Sequence, residues 1–347
     1  MAMHRIKWAA ALLICITLVL AGCGKKDTGS VVKDLDKLMG KMQSYSGTGL
    51  MTLHTGQDPQ QYEVEVWYKH PSYYRIGLTN TKKESTQIVL RNAEGVYVLT
   101  PHLNKSFRFQ SDWPDNQGQV YLYQSLLQSI VMDNDRQMTT EGDMLVFDVL
   151  ANYQNPALSR QKIWLDKKTY APHKVEVNDS NARVVVSVEF SNFIFDQKFE
   201  QDAFDMQRNM TGMVEGVVPT NTTPQQGQEL EEHTLAQIGI VYPSYSPEGV
   251  KLPESTEIQV GTDKGVLLRY SGTYNYTLQQ YIPHDQEVSL QFGRVIDLGF
   301  TVGYLTGNEL QTLRWMHDGV EFRLSSGDLS QQEMIKIASS VQGQAGK

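Results

Sequence analysis

The segment Tyr62-Glu63-Val64-Glu65-Val66-Trp67-Tyr68-Lys69 alternates strictly, with Tyr62, Val64, Val66 and Tyr68 on one side and Glu63, Glu65 and Lys69 on the other. A period of two is the signature of a strand with one dry and one wet face, and such strands belong to antiparallel sheets. Further strand candidates follow at Tyr73 to Leu78, Thr86 to Arg91, Val96 to Thr100, Ser106 to Gln110, Met144 to Leu150, Gln161 to Asp166, His173 to Val177 and Ala182 to Phe195. Their spacing suggests that neighbours in sequence pair in space. Two segments break the pattern. Val31, Leu35, Leu38 and Met42 recur at helical steps, as do Val120, Tyr123, Leu127, Ile130 and Val131. A helix inserted among strands must cover the sheet's apolar face or its open end, so the reading is a sheet with two helices on one face.

After about Asp205 the composition changes. Residues 211–228 are rich in Gly, Pro, Thr and Gln and free of aromatics, as expected of a linker. Beyond it come an acidic helix candidate at Glu229 to Ile238 and short strands at Val266 to Tyr270, Val288 to Phe292, Thr312 to Met316 and Val320 to Ser325. Ser330-Gln331-Gln332-Glu333 reads as a capping box, starting a helix with Met334, Ile337, Ala338 and Val341 on one face. The expected organisation is a leader over 1–22, a tether over 23–30, a β-rich domain over 31–210, a linker over 211–228 and a small α+β domain over 229–347.

The leader has the parts of a signal peptide: Arg5 and Lys7, an apolar run from Trp8 to Leu20, and small residues at a cut. That run falls short of the roughly 20 residues a bilayer span needs. Ala21-Gly22 stand directly before Cys23, the arrangement of a lipoprotein signal, so Cys23 is expected to carry the lipid that holds the chain to the outer side of the cell membrane. Two or three acyl chains, at roughly 0.8 kcal/mol per buried methylene, hold a protein durably where one does not. Lys25 and Lys26 can meet lipid headgroups, or simply open a solvated tether. The only other cysteine, Cys15, lies in the leader, leaving no disulfide, thiol nucleophile or Cys-based metal site.

The net charge of -8 becomes more negative once Arg5 and Lys7 are removed, which argues against a nucleic-acid partner. Chemistry-bearing motifs are absent. No two of the 8 histidines are spaced as a metal-binding helical pair, Gly-x-Ser-x-Gly is missing, and no Gly-rich loop ends in Gly-Lys-Ser or Gly-Lys-Thr. Asp133-Asn134-Asp135 lacks the Gly and distal Glu of a calcium loop and reads as a helix stop. Glu63 and Glu65 project side by side, as glycosidase carboxylates do, but acidic residues on a wet sheet face ordinarily solvate it. Neither catalysis, a metal nor a cofactor is expected.

One stretch runs Val64-x-Val66-Trp67-Tyr68-Lys69-His70-Pro71-x-x-Tyr74-Arg75-Ile76, and another Gln87-Ile88-Val89-Leu90-Arg91-Asn92-x-x-Gly95-Val96-Tyr97-Val98-Leu99-Thr100-Pro101. With Ile163-Trp164-Leu165-Asp166-Lys167-Lys168-Thr169-Tyr170-x-Pro172, these resemble the LolA/LolB-type lipoprotein-carrier superfamily over about residues 31 to 205. Most closely they resemble its lipid-anchored, sporulation-associated members in Gram-positive spore formers. The resemblance implies an incomplete antiparallel β-barrel with a helical lid over a concave apolar face. In carrier members that cavity holds acyl chains, although a lipidated chain cannot shuttle between membranes.

Two functions remain open at this point. One is an apolar-ligand site for a lipid or acyl chain, on Val64, Val66, Val184, Val186, Val188, Phe190, Leu127 and Ile130. Those same residues equally make an ordinary filled core. The other is a protein-interaction module that docks or regulates a cell-wall enzyme or envelope assembly protein.

Overall fold

A computed structural model describes residues 27–54, 59–83, 85–109, 119–153, 158–211, 239–283, 289–291 and 293–343. The first helix, α1 (Thr28–Lys41), begins at Asp27, whose side chain accepts from the Ser30 amide at 2.8 Å. That bond satisfies one of the orphan donors of the first turn. Val31 and Leu35, one turn apart, are fully buried against the sheet. Such a side chain contributes roughly 1.5–3 kcal/mol.

Six strands then meander: β1 (Ser44–Leu53), β2 (Gln60–Lys69), β3 (Tyr73–Asn80), β4 (Thr86–Asn92), β5 (Gly95–Thr100) and β6 (Lys105–Phe109). The helix α2 (Tyr123–Met132) follows. It is succeeded by β7 (Gln137–Glu141), β8 (Met144–Leu150), β9 (Arg160–Asp166), β10 (Pro172–Asn178) and β11 (Val184–Phe195). Strands adjacent in sequence pair in antiparallel fashion, and β11 returns to lie beside β1, giving the order β6-β5-β4-β3-β2-β1-β11-β10-β9-β8-β7. The sheet is not closed into a barrel. Helices α1 and α2 lie together on its concave side, as the helical periodicity required.

The strand β1 was not legible from alternation because Gly47 and Gly49 blank its inward positions. At Gly49 the sheet folds so tightly that a Cβ would stand 2.5 Å from the Glu189 carbonyl oxygen. The register slips there, opposite Phe190 and Ser191, which is the mark of a β-bulge and bends the strand pair. Asp133, read as a helix stop, does end α2, its carboxylate accepting from the amides of Asp135 and Leu150 at 2.8 and 2.7 Å.

A further element departs from the two-helix reading. The segment from Phe199 through α3 (Met206–Thr211) crosses the outer face of β2 to β5 and builds a second small core there, from Ile88, Leu90, Tyr97, Leu99, Ala203 and Phe204. Trp67 is the outward residue of β2 that this segment covers.

The C-terminal α+β domain has seven antiparallel strands. They are β12 (Glu254–Val260), β13 (Asp263–Tyr270), β14 (Tyr276–Tyr281), β16 (Arg294–Asp297), β17 (Val302–Thr306), β18 (Gln311–His317) and β19 (Val320–Ser326). Their order is β12-β13-β14-β19-β18-β17-β16. Strands β12, β14, β16 and β17 were not anticipated; β12 is exposed on both faces and so carries no alternation, while β17 is nearly continuously buried. The helix α4 (Gln331–Ser339) lays Met334, Ile335, Ile337 and Ala338 into the core. Ser330 caps it by accepting from the Glu333 amide at 3.2 Å. The Glu333 carboxylate is turned instead to Tyr245 and Lys336, at 2.6 and 2.7 Å, so the cap is only half of the expected box. A short strand from this part of the chain, β15 (Ser289–Gln291), leaves its own sheet and pairs in parallel with β6.

Among the described residues no helix is long and apolar enough to cross a membrane.

Candidate functional site

The concave face is built by the inward rows of β1, β2, β8, β9, β10 and β11. Its packing explains where the expected ligand-face residues go. Val66 is 1% exposed, Leu127, Ile130 and Val188 are fully buried, Val64, Val186 and Phe190 are buried, and Val184 at the sheet's end is half-buried. The structure therefore brings seven of these eight residues into one continuous apolar cluster with α1 and α2. Hydroxyls stitch the lid to the sheet: Tyr45 donates to Gln124 Oε1 at 2.7 Å and Tyr123 donates to the Tyr170 carbonyl at 2.6 Å. The rings of Tyr45, Tyr123, Phe193 and Phe195 make five pair contacts at 5.0 to 6.0 Å along this seam, one stacked and the rest tilted or edge-on.

The rim of the half-barrel is closed by the C-terminal domain, through the tips of two of its hairpins. The turn between β16 and β17 places Phe300, 1% exposed, beside the half-barrel residues Tyr62, Leu78 and His102. At the start of the same turn, burial pushes the Asp297 carboxyl up to about 7. The pKa values of the Tyr121 and Tyr153 phenols of the half-barrel are raised chiefly by their own burial and further by the Asp297 charge. The turn between β18 and β19 carries Asp318 to Lys83, with which it forms an ion pair, and to Ser85, whose hydroxyl donates to it at 3.4 Å. Among the described residues, two spaces at this junction measure about 10 and 20 Å³. Each has room for a water at most, whereas pockets for small organic ligands run to roughly 300–1,000 Å³.

The outer face is different. Outward residues of β1, β2, β3, β10 and β11 line an open groove of about 920 Å³, with Thr48, Leu50, Glu63, Glu65, Thr79, Lys174, Glu189 and Ser191 on its walls. The bulge at Gly49 and Phe190 lies in this groove. Its charges are organised. The Arg75 guanidinium reaches Glu65 at 2.5 Å, donates to Asn209 at 2.6 Å and lies 4.3 Å over the Trp67 ring, whose Nε1 donates to Glu65 at 3.0 Å. Glu65 is thereby held as an ion-pair partner of Arg75. On the opposite wall Lys174 bonds Glu176 at 2.7 Å and approaches Glu189 at 3.7 Å; the bond to Glu176 is the main cause of its raised pKa. Leu50, 37% exposed, adds an apolar contact. Carboxylates, hydroxyls and one leucine on a bent sheet give this groove groups that can donate, accept and pack.

Among the described residues no three His, Cys, Asp or Glu side chains are grouped to hold a metal ion. Cys23, Lys25 and Lys26 lie outside the described residues, as do positions 212–238, which include nearly all of the expected linker and the helix expected at Glu229 to Ile238. Two features of the fold are not legible in the sequence. Thr48 and Leu50 sit on the strand that the glycines concealed. Lys83 and Asp318 are ordinary surface residues until the fold joins them, although Asp318-Gly319 between two strands is itself a hairpin signal.

A family model for YdcC-like sporulation proteins matches residues 3–204, and one for a domain of unknown function matches residues 240–341. Sporulation protein YdcC of Bacillus subtilis (strain 168) is 39% identical over 353 residues, covering 99% of this chain and 100% of that one. Among solved structures, the Pseudomonas aeruginosa MucA/MucB complex matches with 14% identity and a TM-score of 0.32, over 89% of this chain and 97% of that one. The CwlD amidase of Clostridioides difficile in complex with the GerS lipoprotein matches at 16% and 0.29, over 51% and 98%. The LolA superfamily protein NE2245 of Nitrosomonas europaea matches at 13% and 0.29, over 53% and 99%. With one relative aligned along nearly its whole length and a family model on its larger domain, the chain belongs to the YdcC-like sporulation protein family.

Proposed function

We propose that this sporulation protein is a non-catalytic docking module of the cell envelope, tethered outside the cytoplasm by lipid on Cys23, and that it receives a protein partner in the outer groove. The observation that carries the reading is the contrast between the two faces. The concave side is occupied by the chain's own side chains, while about 920 Å³ on the outer side stands open and is lined by fixed charges. The partner class follows from the groove. Glu63 and Glu189 offer carboxylates, Thr48 and Ser191 hydroxyls and Leu50 an apolar contact, which suits a polypeptide segment carrying basic and apolar side chains together. A cell-wall enzyme or an envelope assembly protein is the partner this reading favours. The acyl-chain reading needs the C-terminal hairpin tips to leave the rim first, since a chain would otherwise have to share space with packed side chains.

A photo-crosslinking amino acid placed at Leu50 of the full-length protein in sporulating cells tests this. We expect a discrete protein adduct from position 50, and none from the 94% exposed Leu252, far along the chain in the C-terminal domain. Adducts of equal yield from both positions, or none from position 50, would contradict the reading. Replacing Cys23 by Ala in the same cells moves the protein to the soluble fraction if the lipid is its tether.

A further inference from the structure

The junction between the half-barrel and the C-terminal domain joins an apolar contact to a few polar anchors that neither sheet uses in its own ladder. Asp318 (φ 48°) and Gly319 (φ 80°) form the two-residue turn of the β18–β19 hairpin, both in the left-handed region that such a turn demands. This tip sits against the rim of the half-barrel. A Cβ on Gly319 would come within 2.5 Å of Leu103 Cδ1, the movable end of that side chain, so it is the φ of 80° that favours glycine at this tip. Around it Lys83 pairs with Asp318, Ser85 donates to Asp318, and Gln87 Nε2 donates to the Met316 carbonyl at 3.3 Å. Behind the tip the His317 ring packs edge-on against Phe300 at 4.7 Å, facing Asp318. A second anchor is the Lys105 ammonium on the Pro283 carbonyl, and a third is the three-residue pairing of β15 with β6.

None of these contacts is needed by either sheet for its own ladder. The β18–β19 pairing from Gln311↔Ser326 to His317↔Val320 lies wholly within the C-terminal sheet, and β1 to β11 pair among themselves. Among the described residues, withdrawing the tip breaks one ion pair, a few hydrogen bonds and one short strand pairing, parts the apolar contact that joins the two cores, and leaves both ladders intact. It also uncovers Val98 and Phe107, which face Trp315 and Met316 across the junction.

We propose that the C-terminal domain is a releasable plug of the half-barrel, keyed into the rim at Lys83 by the Asp318-Gly319 turn, and that its withdrawal bares the apolar interior. This goes beyond the docking role, since it concerns the inner face and holds whether or not the outer groove has a partner.

The test is a charge swap in the full chain, read by small-angle scattering and by the fluorescence of anilinonaphthalene sulfonate, which reports exposed apolar surface. Lys83→Glu alone sets two carboxylates against each other, as Asp318→Lys sets two ammoniums. Each is expected to raise the open fraction on the order of tenfold, with a larger radius of gyration and brighter dye. Combining the two restores the pair, and with it the dye signal and dimensions of the parent. Single variants that lose the fold altogether would count against a plug whose withdrawal leaves both sheets intact. Single variants indistinguishable from the parent, or a double variant as bright as the singles or unfolded, would overturn the plug.

Discussion

Leu127→Ala and Ile130→Ala each lower the unfolding free energy of the half-barrel by about 2–5 kcal/mol, measured by urea denaturation. The magnitude follows from where α2 puts these side chains. Both are fully buried, in a cluster that also holds Val31 and Leu35 of α1 and the inward valines of β10 and β11. The surrounding seam is fixed by the Tyr45 and Tyr123 hydrogen bonds, so neighbours cannot readily collapse into the space left behind. A deleted side chain then costs its transfer free energy and that of the remaining cavity. Residues lining an open ligand site behave otherwise. Their truncation would change ligand uptake and leave stability within about 0.5 kcal/mol, as at other solvated positions.

Trp315→Ala is expected to cost about 3–5 kcal/mol in the C-terminal domain. Trp315 is 2% exposed and stacks on Phe322 at 5.2 Å with the ring planes 7° apart. It also lines the junction with Val98 and Phe107, so its loss loosens the plug as well as the sheet. Its Nε1 is buried with no hydrogen-bond partner among the described residues, so the ring matters here as a hydrophobic plate and not as a donor. Trp315→Phe should accordingly cost under about 1.5 kcal/mol. A Phe variant as damaged as the Ala variant would mean that the indole nitrogen has a partner after all.

The strands with clean alternation were legible because a half-buried antiparallel strand has no other way to place its side chains. From β2 to β5, and again from β8 to β11, the expected segments match the observed ones to within a few residues. What escaped has physical causes. In β1 the close approach to Glu189 demands glycine, and glycine carries no hydropathy signal. In β12 both faces are wet, and in β17 four of five residues are buried, so alternation disappears in opposite ways. The outer-face core under α3 was hidden for a similar reason: Ile88 and Leu90 face out of the half-barrel while Val89 faces in, which reads as a featureless apolar run.

The groove and the plug were harder still, because both depend on residues far apart in sequence. Lys83 and Asp318 are separated by 235 positions, and Glu65, Arg75 and Asn209 come from three elements. No periodicity encodes such meetings. The face that sequence did single out, around Val64, Val188 and Ile130, is real as a cluster. Val64 and Val188 come from the sheet and Ile130 from the lid helix, so the cluster forms only where the fold brings the two together.

That makes the occupancy of the inner face the central claim, and native mass spectrometry of the protein extracted from membranes tests it most directly. The expected mass is that of the polypeptide with the acyl groups proposed for Cys23 and nothing else, after gentle extraction and without added lipid. A stoichiometric noncovalent lipid, lost together with the fold on Ile130→Ala, would contradict it.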